Sequence, residues 1–231
     1  MKKILIILLL SCFTDCTSSS EENGWWLYYN FKDGEQRVWD LKTLPEKNIS
    51  IKEFNGIDLE ELDLDENMLI TDDMEKEKLF DLIPFTYWTV DSSSYEPLNL
   101  GPVHREDWLY LEKQRLEKEV NLYTLGNIEF VSGIKSVLIA KQYLNDNFYK
   151  LTLLIINIHE GRVVSIVETG EYGDFISLSI LNVKTTVNYN KKNKQFKMHE
   201  IRKSLFMDGI CTSEDWYDFR IDSQGRIISK H

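Results

Sequence analysis

The stretch Phe148-Tyr149-Lys150-Leu151-Thr152-Leu153-Leu154-Ile155-Ile156-Asn157-Ile158-His159 decides the fold. From Leu151 to Ile156 it is apolar on both faces, the pattern of a strand covered on both sides. It is therefore expected to be a central strand. On either side of it, segments 134–144, 162–169, 178–190, 195–206 and 216–222 are each strand length or longer. The breaks between them, Asn145-Asp146-Asn147, Glu160-Gly161, 170–174 and 190–193, are short and made of turn residues. Leu181, Val183, Thr185, Val187 and Tyr189 alternate with Asn182, Lys184, Thr186 and Asn188, giving one apolar face and one wet face. Tyr217, Phe219 and Ile221 repeat that pattern. The C-terminal half thus reads as an antiparallel meander of five or six strands.

The N-terminal half is less regular. Trp25-Trp26-Leu27-Tyr28-Tyr29 and segments 38–41, 49–54 and 85–90 read as strands. The main helix is expected at 104–121, where Leu109, Leu116 and Val120 share a face with Trp108 and Leu111 beside it. Lys113–Glu117 and Arg115–Glu119 are i,i+4 pairs on its outside. Residues 58–77 hold ten acidic residues and a single basic one, Lys76, with leucines at 59, 62, 64 and 69. They read as an irregular acidic segment running into a short helix around 74–82. The fold class is therefore α+β, rich in antiparallel meander, with one main helix near 104–121. Residues 25–231 form a single globular domain with a subdivision point near 122.

Composition narrows the function. The chain has 231 residues and is 28% charged, close to the quarter typical of folded proteins. Its net charge of −11 disfavours nucleic acid, which needs a basic face. No run approaches the ~20 apolar residues of a membrane-spanning helix.

The first residues carry an address. Met1-Lys2-Lys3 is followed by apolar Ile4 to Leu10 and then by Ser11-Cys12. A basic start, a short apolar core and a small residue make an export signal. The junction Leu9-Leu10-Ser11-Cys12 resembles the bacterial lipoprotein lipobox. That resemblance implies cleavage before Cys12, a diacyl group on its thiol and acylation of the new amino terminus. Residues 1–11 are then the signal peptide, and 12–24 are the lipid attachment and a polar tether. Phe13 stands where Asp marks inner-membrane retention in this class, which tilts the expected location to the outer membrane. Loss of Lys2 and Lys3 leaves 25 basic against 38 acidic residues, so lipid rather than charge has to hold the chain to an anionic surface. Cys16 and Cys211 remain; pairing them would require the tether to fold back, so two thiols are expected.

Candidate chemistry is sparse. His199-Glu200-Ile201-Arg202-Lys203 begins like a zinc helix but has Lys203 in place of the second His and lies in a strand, where i and i+4 are about 13 Å apart. Asp63-Leu64-Asp65-Glu66-Asn67 imitates a calcium loop but has Met68 at the Gly position and Met74 at the Glu position. His159 precedes a turn. Cys211-Thr212-Ser213 has no hydrolase context, and no Gly-x-Ser-x-Gly elbow or phosphate loop is present. No catalytic residue, cofactor or metal is expected, and Cys12 is the one assigned site. The reading is a lipid-anchored envelope lipoprotein that binds a basic protein partner without chemistry. Two alternatives are kept. One is a half-barrel carrier of lipid or another hydrophobic ligand, similar in general build to outer-membrane lipoprotein receptors. The other is a glycan-binding module using Trp25, Trp26, Tyr28, Tyr29, Phe31 and Trp39.

Cys12→Ala is expected to abolish acylation and release the chain from the membrane fraction. The fold should change by no more than the roughly 0.5 kcal/mol of an ordinary surface substitution. Fatty-acid labelling followed by fractionation checks both.

Overall fold

The computed structural model describes residues 28–34, 36–41, 47–82, 120–145, 148–175, 180–206 and 209–230. Its frame is a continuous antiparallel meander of eight strands: β3 (Val120–Val131), β4 (Ile134–Asn145), β5 (Phe148–His159), β6 (Arg162–Phe175), β7 (Ile180–Asn190), β8 (Gln195–Phe206), β9 (Gly209–Ile221) and β10 (Ile227–Lys230). Two short strands from the start of the chain, β1 (Tyr28–Asn30) and β2 (Arg37–Val38), pair with the first half of β6. The second half of β6 pairs with β7 instead. The helices are α1 (Ile51–Phe54) and α2 (Asp73–Leu82), with a 3-10 turn at Glu66–Met68 between them.

Strand β5 sits between two cores. Leu151, Leu153 and Ile155 point into the first, and Leu154, Ile156 and Ile158 into the second. The first core is closed by aromatic rings from distant strands. Phe196 stacks on Phe219 at 4.4 Å and meets Phe130 edge-on at 4.7 Å; Phe130 in turn meets Phe54 at 4.8 Å. The Tyr189 hydroxyl donates to the Phe130 carbonyl at 2.8 Å. The second core is capped by the first part of the chain, through Phe31, Leu41, Ile70, Leu79 and Phe80.

Asn157, the polar residue at the end of the apolar run, has a role of its own. It is fully buried. It accepts from Ser136 Oγ at 2.7 Å and donates to Ser165 Oγ at 2.8 Å. Ser165 donates to the Gly225 carbonyl at 2.5 Å, tying β4, β5 and β6 to the β9–β10 hairpin. Asn30 bonds the peptide of Ile227 in both directions, at 2.9 and 2.7 Å. The far end of the sheet is thus drawn back onto β1 and β6 by side chains.

Several expectations are corrected. Residues 49–54 form no strand: Ile51–Phe54 is a helical turn, because Ser50 and Glu53 make a reciprocal capping box. Residues 170–174 are no turn, since β6 runs on to Phe175. Its glycines mark close approaches, and a Cβ on Gly170 would lie 2.9 Å from Leu59 Cδ1. The meander has eight strands rather than five or six, with β3 and β10 not foreseen and β9 starting at Gly209. Val120 and Asn121, assigned to the end of the main helix, open β3 and pair with Tyr143 and Gln142. The remainder of that helix and the 85–90 segment lie outside the described residues. The short helix at 74–82 is found as α2, the strands 148–159 and 195–206 have the expected limits, and the fold is mostly antiparallel sheet.

The two long edges of the sheet are treated differently. The β3 edge is sealed by the N-terminal segment: Asn127 N–H donates to the Lys47 carbonyl at 2.7 Å, Ile49 N–H to Asn127 at 2.8 Å, and Ile70 N–H to Leu122 at 2.9 Å. Gly126 makes this approach feasible. Its φ is +138°, and a Cβ there would lie 2.5 Å from the Lys47 carbonyl oxygen. Gly126→Val is expected to cost about 1–3 kcal/mol through backbone strain alone. It should also speed amide exchange at Ile49 and Asn127 relative to the core of β5, as read by urea unfolding and hydrogen exchange.

Candidate functional site

Three features of the described surface and interior carry charge or exposed rings. The first is the acidic segment 58–77. Its alternation works locally: Leu59 is buried and Leu62, Leu64, Met68 and Leu69 pack against the first core, while residues 60, 61, 63 and 65–67 face water. Glu60, Glu61, Asp63, Asp65, Glu66, Asp73 and Glu77 are all exposed. Ionic and capping contacts hold the ridge in place. Lys184 Nζ reaches Glu60 at 2.5 Å and Asp58 at 3.5 Å, and these carboxylates raise its pKa. Asp65 accepts from the Asn67 backbone at 2.9 Å and from the Asn67 side chain, which holds its carboxyl below the usual range. The segment that imitates a calcium loop is therefore a capped turn, with Asp65 Oδ1 already engaged. Among the described residues no group of three His, Cys, Asp or Glu side chains is gathered as a metal site would need.

The second feature is a belt of partly or completely buried ions on β4, β5, β6 and β8, two residues wide, whose rows run on through β7 to exposed residues of β9. In one row, Lys141 on β4 lies opposite Thr152 on β5, which lies opposite Glu171 on β6; Thr185, Glu200 and Asp215 continue at neighbouring positions on β7, β8 and β9. In the adjacent row Tyr143, Lys150, Gly173, Val183, Arg202 and Ser213 are successive partners. Lys141 Nζ is 3.6 Å from Glu168, Lys150 Nζ is 2.9 Å from Glu171, and Arg202 is 2.8 Å from Glu200. Burial pulls the Lys141 ammonium below its ordinary pKa, against the pull of Glu168. Burial acts the same way on Lys150, but Glu171 and Glu168 outweigh it and raise the net value. Burial also lifts the Glu200 carboxyl, with Arg202 opposing, and raises the Tyr217 phenol, with Glu200 adding to the effect. Glu168 Oε2, Arg202 Nε and the hydroxyls of Thr152 and Thr185 are buried without a hydrogen-bond partner. Three cations, Lys141, Lys150 and Arg202, meet four carboxylates, Glu168, Glu171, Glu200 and the exposed Asp215, and the chemistry of the belt is that of ion pairs in register.

The third feature is on the outer strands. Trp216 is 68% exposed, and its ring stacks on His199 at 3.9 Å and 8°. His199 Nε2 is 3.2 Å from Glu214. His199 lies in β8 as the sequence led us to expect, and Lys203 is four residues further along the same strand, not beside it. His159 closes the β5–β6 hairpin opposite Arg162. Cys12, Cys16, His104, His231, Trp25 and Trp26 lie outside the described residues. Of the remaining N-terminal aromatics, Phe31 is buried and meets Tyr29 edge-on at 78°, so these two rings form no flat platform. A ligand carrier would need an apolar cavity. The first core is filled by its ring stack; one surface depression beside β3 is lined by Asn48, Asn127, Ile128, Glu129, Gly133 and Lys135, and another lies between Ile51, Asn55, Tyr189 and Lys197.

Sequence reasoning saw the acidic segment but missed the belt and the stacked pair. Lys141 and Lys150 did carry a signal, because each borders a largely apolar run, 137–140 in β4 and 151–156 in β5. Matching them to Glu168 and Glu171 required the register. Compared with protein-family models, curated proteins and solved structures, the chain matches none.

Lys141→Met alone is expected to destabilise the fold by roughly 3–5 kcal/mol, because it strands the buried Glu168 carboxylate. The double change Lys141→Met/Glu168→Leu should recover most of that loss. Urea midpoints of the four-member cycle measure the coupling.

Proposed function

We propose that this chain is a lipid-anchored lipoprotein of the bacterial envelope, on the outer membrane, that captures a basic protein partner on its acidic ridge and performs no chemistry on it. The observation that carries the reading is the ridge itself: seven exposed carboxylates between 60 and 77, five of them on backbone held to the first core by Leu59, Leu62, Leu64 and Leu69, and two, Asp73 and Glu77, on α2, which packs on the second core. An acidic tail without such anchors would have to be ordered on binding, at an entropic cost that lowers affinity. A pre-ordered row of like charges avoids that cost and steers a basic partner toward one face. The opening residues Leu9-Leu10-Ser11-Cys12 support the anchor, and the polar tether 17–24 supplies reach between lipid and fold.

Glu61, Asp63, Glu66, Asp73 and Glu77 make no cap or ion pair among the described contacts, so their charges are removable without loss of structure. The variant Glu61→Gln/Asp63→Asn/Glu66→Gln/Asp73→Asn/Glu77→Gln is expected to fold with an unchanged urea midpoint. It should lose at least about tenfold in affinity for a basic protein co-purified from envelope extract at low salt. Retention of that protein by the variant, or retention by the wild type at high salt, would refute capture by the ridge.

A further inference from the structure

The outer edge of β9 is long and, among the described residues, paired over only a short part of its length. β9 pairs with β8 from Gly209 to Phe219, while β10 covers its other side only over the last four residues, opposite Ile227 to Lys230. Over 209–216 no strand among the described residues pairs with that side. The direction of its peptide groups follows from the hairpin. Asp222 N–H donates toward Arg226, on the β10 side, and the register is regular from there back to Gly209. Peptides of alternate residues face alternate sides, so Ile210, Thr212, Glu214 and Trp216 present their N–H and C=O groups outward.

Such an edge is a template for another strand, and proteins normally blunt it with charged side chains, above all Lys, or with Pro, a bulge or a cover; here Glu214 and Asp215 are the charges present. The sequence Gly209-Ile210-Cys211-Thr212-Ser213-Glu214-Asp215-Trp216 has no Lys and no Pro, and the pairing with β8 shows no bulge. The opposite edge, β3, is covered by residues 47–49 and 69–70. This edge, which no strand among the described residues pairs over 209–216, also carries two of the six exposed large hydrophobics of the described chain, Ile210 at 66% and Trp216 at 68%.

We infer that the β9 edge joins a second copy of this chain, antiparallel, about a two-fold axis through Ser213. Ile210 and Trp216 lie three residues to either side of Ser213, so this axis, unlike its neighbours, sets each Trp216 directly opposite the other copy's Ile210. Thr212 then faces Glu214, and Asp215 faces Cys211, so no like charges are directly opposed. The residues with outward peptides pair with one another, 210 with 216 and 212 with 214, and every one of those peptides finds a partner. Charge also fits. Lys203 is the β8 partner of Thr212 and is exposed on the same face. Each Glu214 therefore looks across the short Thr212 side chain to the second copy's Lys203, about 10 Å away between Cα atoms, within reach of the two extended side chains. His199 supports that Glu214 from its own chain at 3.2 Å. A basic partner on this edge would meet Lys203 and gain from two acids only, whereas a second copy matches both the charges and the apolar pair. The inference is independent of the lipid anchor and of the acidic ridge, which lies on the N-terminal segment.

Sedimentation equilibrium of the full chain in density-matched detergent tests it. A concentration-dependent dimer is expected at micromolar chain. Trp216→Lys should weaken it at least about tenfold. Lys203→Glu and Glu214→Lys should each weaken it, and the two together should restore it. Ser213 sits at a non-hydrogen-bonded site on the axis, where Cα atoms approach to about 4.5 Å, so Ser213→Cys in a Cys16→Ser/Cys211→Ser background should form an inter-chain disulfide on mild oxidation. Gln224→Cys in the same background should not. A monomeric wild type, a dimer indifferent to Trp216→Lys, or failure of Ser213→Cys to cross-link would each overturn the inference. Capture of a foreign basic protein on this edge by a monomeric chain would do the same. Because the ridge variant leaves β9 unchanged, loss of partner capture and loss of dimer are separable results.

Discussion

Strand β5 leaves no face to water. Alternate residues along it feed two separate cores, and each core needs a cover from elsewhere in the chain. At roughly 25 cal/mol per Å² of apolar surface removed from water, a strand buried on both sides is the densest source of stability available to a sheet. One side is covered when β7–β10 bring Val187, Tyr189, Phe196 and Phe219 against β3–β5. The other is covered by the segment that carries Phe31, Leu41 and α2. The curl of the sheet, the path of the N-terminal segment and the exposure of β9 all follow from serving those two faces.

The polar parts of the molecule are placed by the same constraint. Asn157 sits where β5 passes under the β9–β10 hairpin, and its buried chain of hydrogen bonds replaces contacts that an apolar residue would have made there. The ion belt on β4, β5, β6 and β8 lies beside the second core. Buried pairs of this kind add little net stability over well-packed apolar residues, because desolvation offsets their attraction. Their effect is on register. A one-residue slip of β5 against β4 or β6 would turn Lys150 to the other face and leave Glu171 alone.

The acidic ridge and the β9 edge lie outside this economy of burial, which is why both remain available to partners. The ridge is held from beneath by leucines and presents carboxylates outward. The edge is held from one side by β8 and presents peptide groups on the other. In the functions proposed for them, the ridge would recognise charge and the edge would recognise backbone and the spacing of two apolar side chains. The two surfaces can act at the same time.

Much of this was legible in the sequence, for a stated reason in each case. The period-2 alternation at 181–189 and the two-faced run at 151–156 report burial directly, so the antiparallel meander and its central strand could be read. The leucines spaced among acids at 59–69 showed that the acidic segment would be held to the fold. The helix at Ile51–Phe54 was misread because its four residues look like a strand, and the decision lies in one Ser50–Glu53 capping box. The run 170–174 was misread because Gly170 and Gly173 are close-approach glycines inside a strand, and what they approach is far away in sequence. The ion belt, the Phe196–Phe219 stack and the β9 edge, which no described strand pairs over 209–216, could not be read at all. Each depends on which strand lies beside which and in what register, and register is set by tertiary packing. Local sequence determined which faces had to be buried; only the folded sheet decided what would meet there and which edge would be left open.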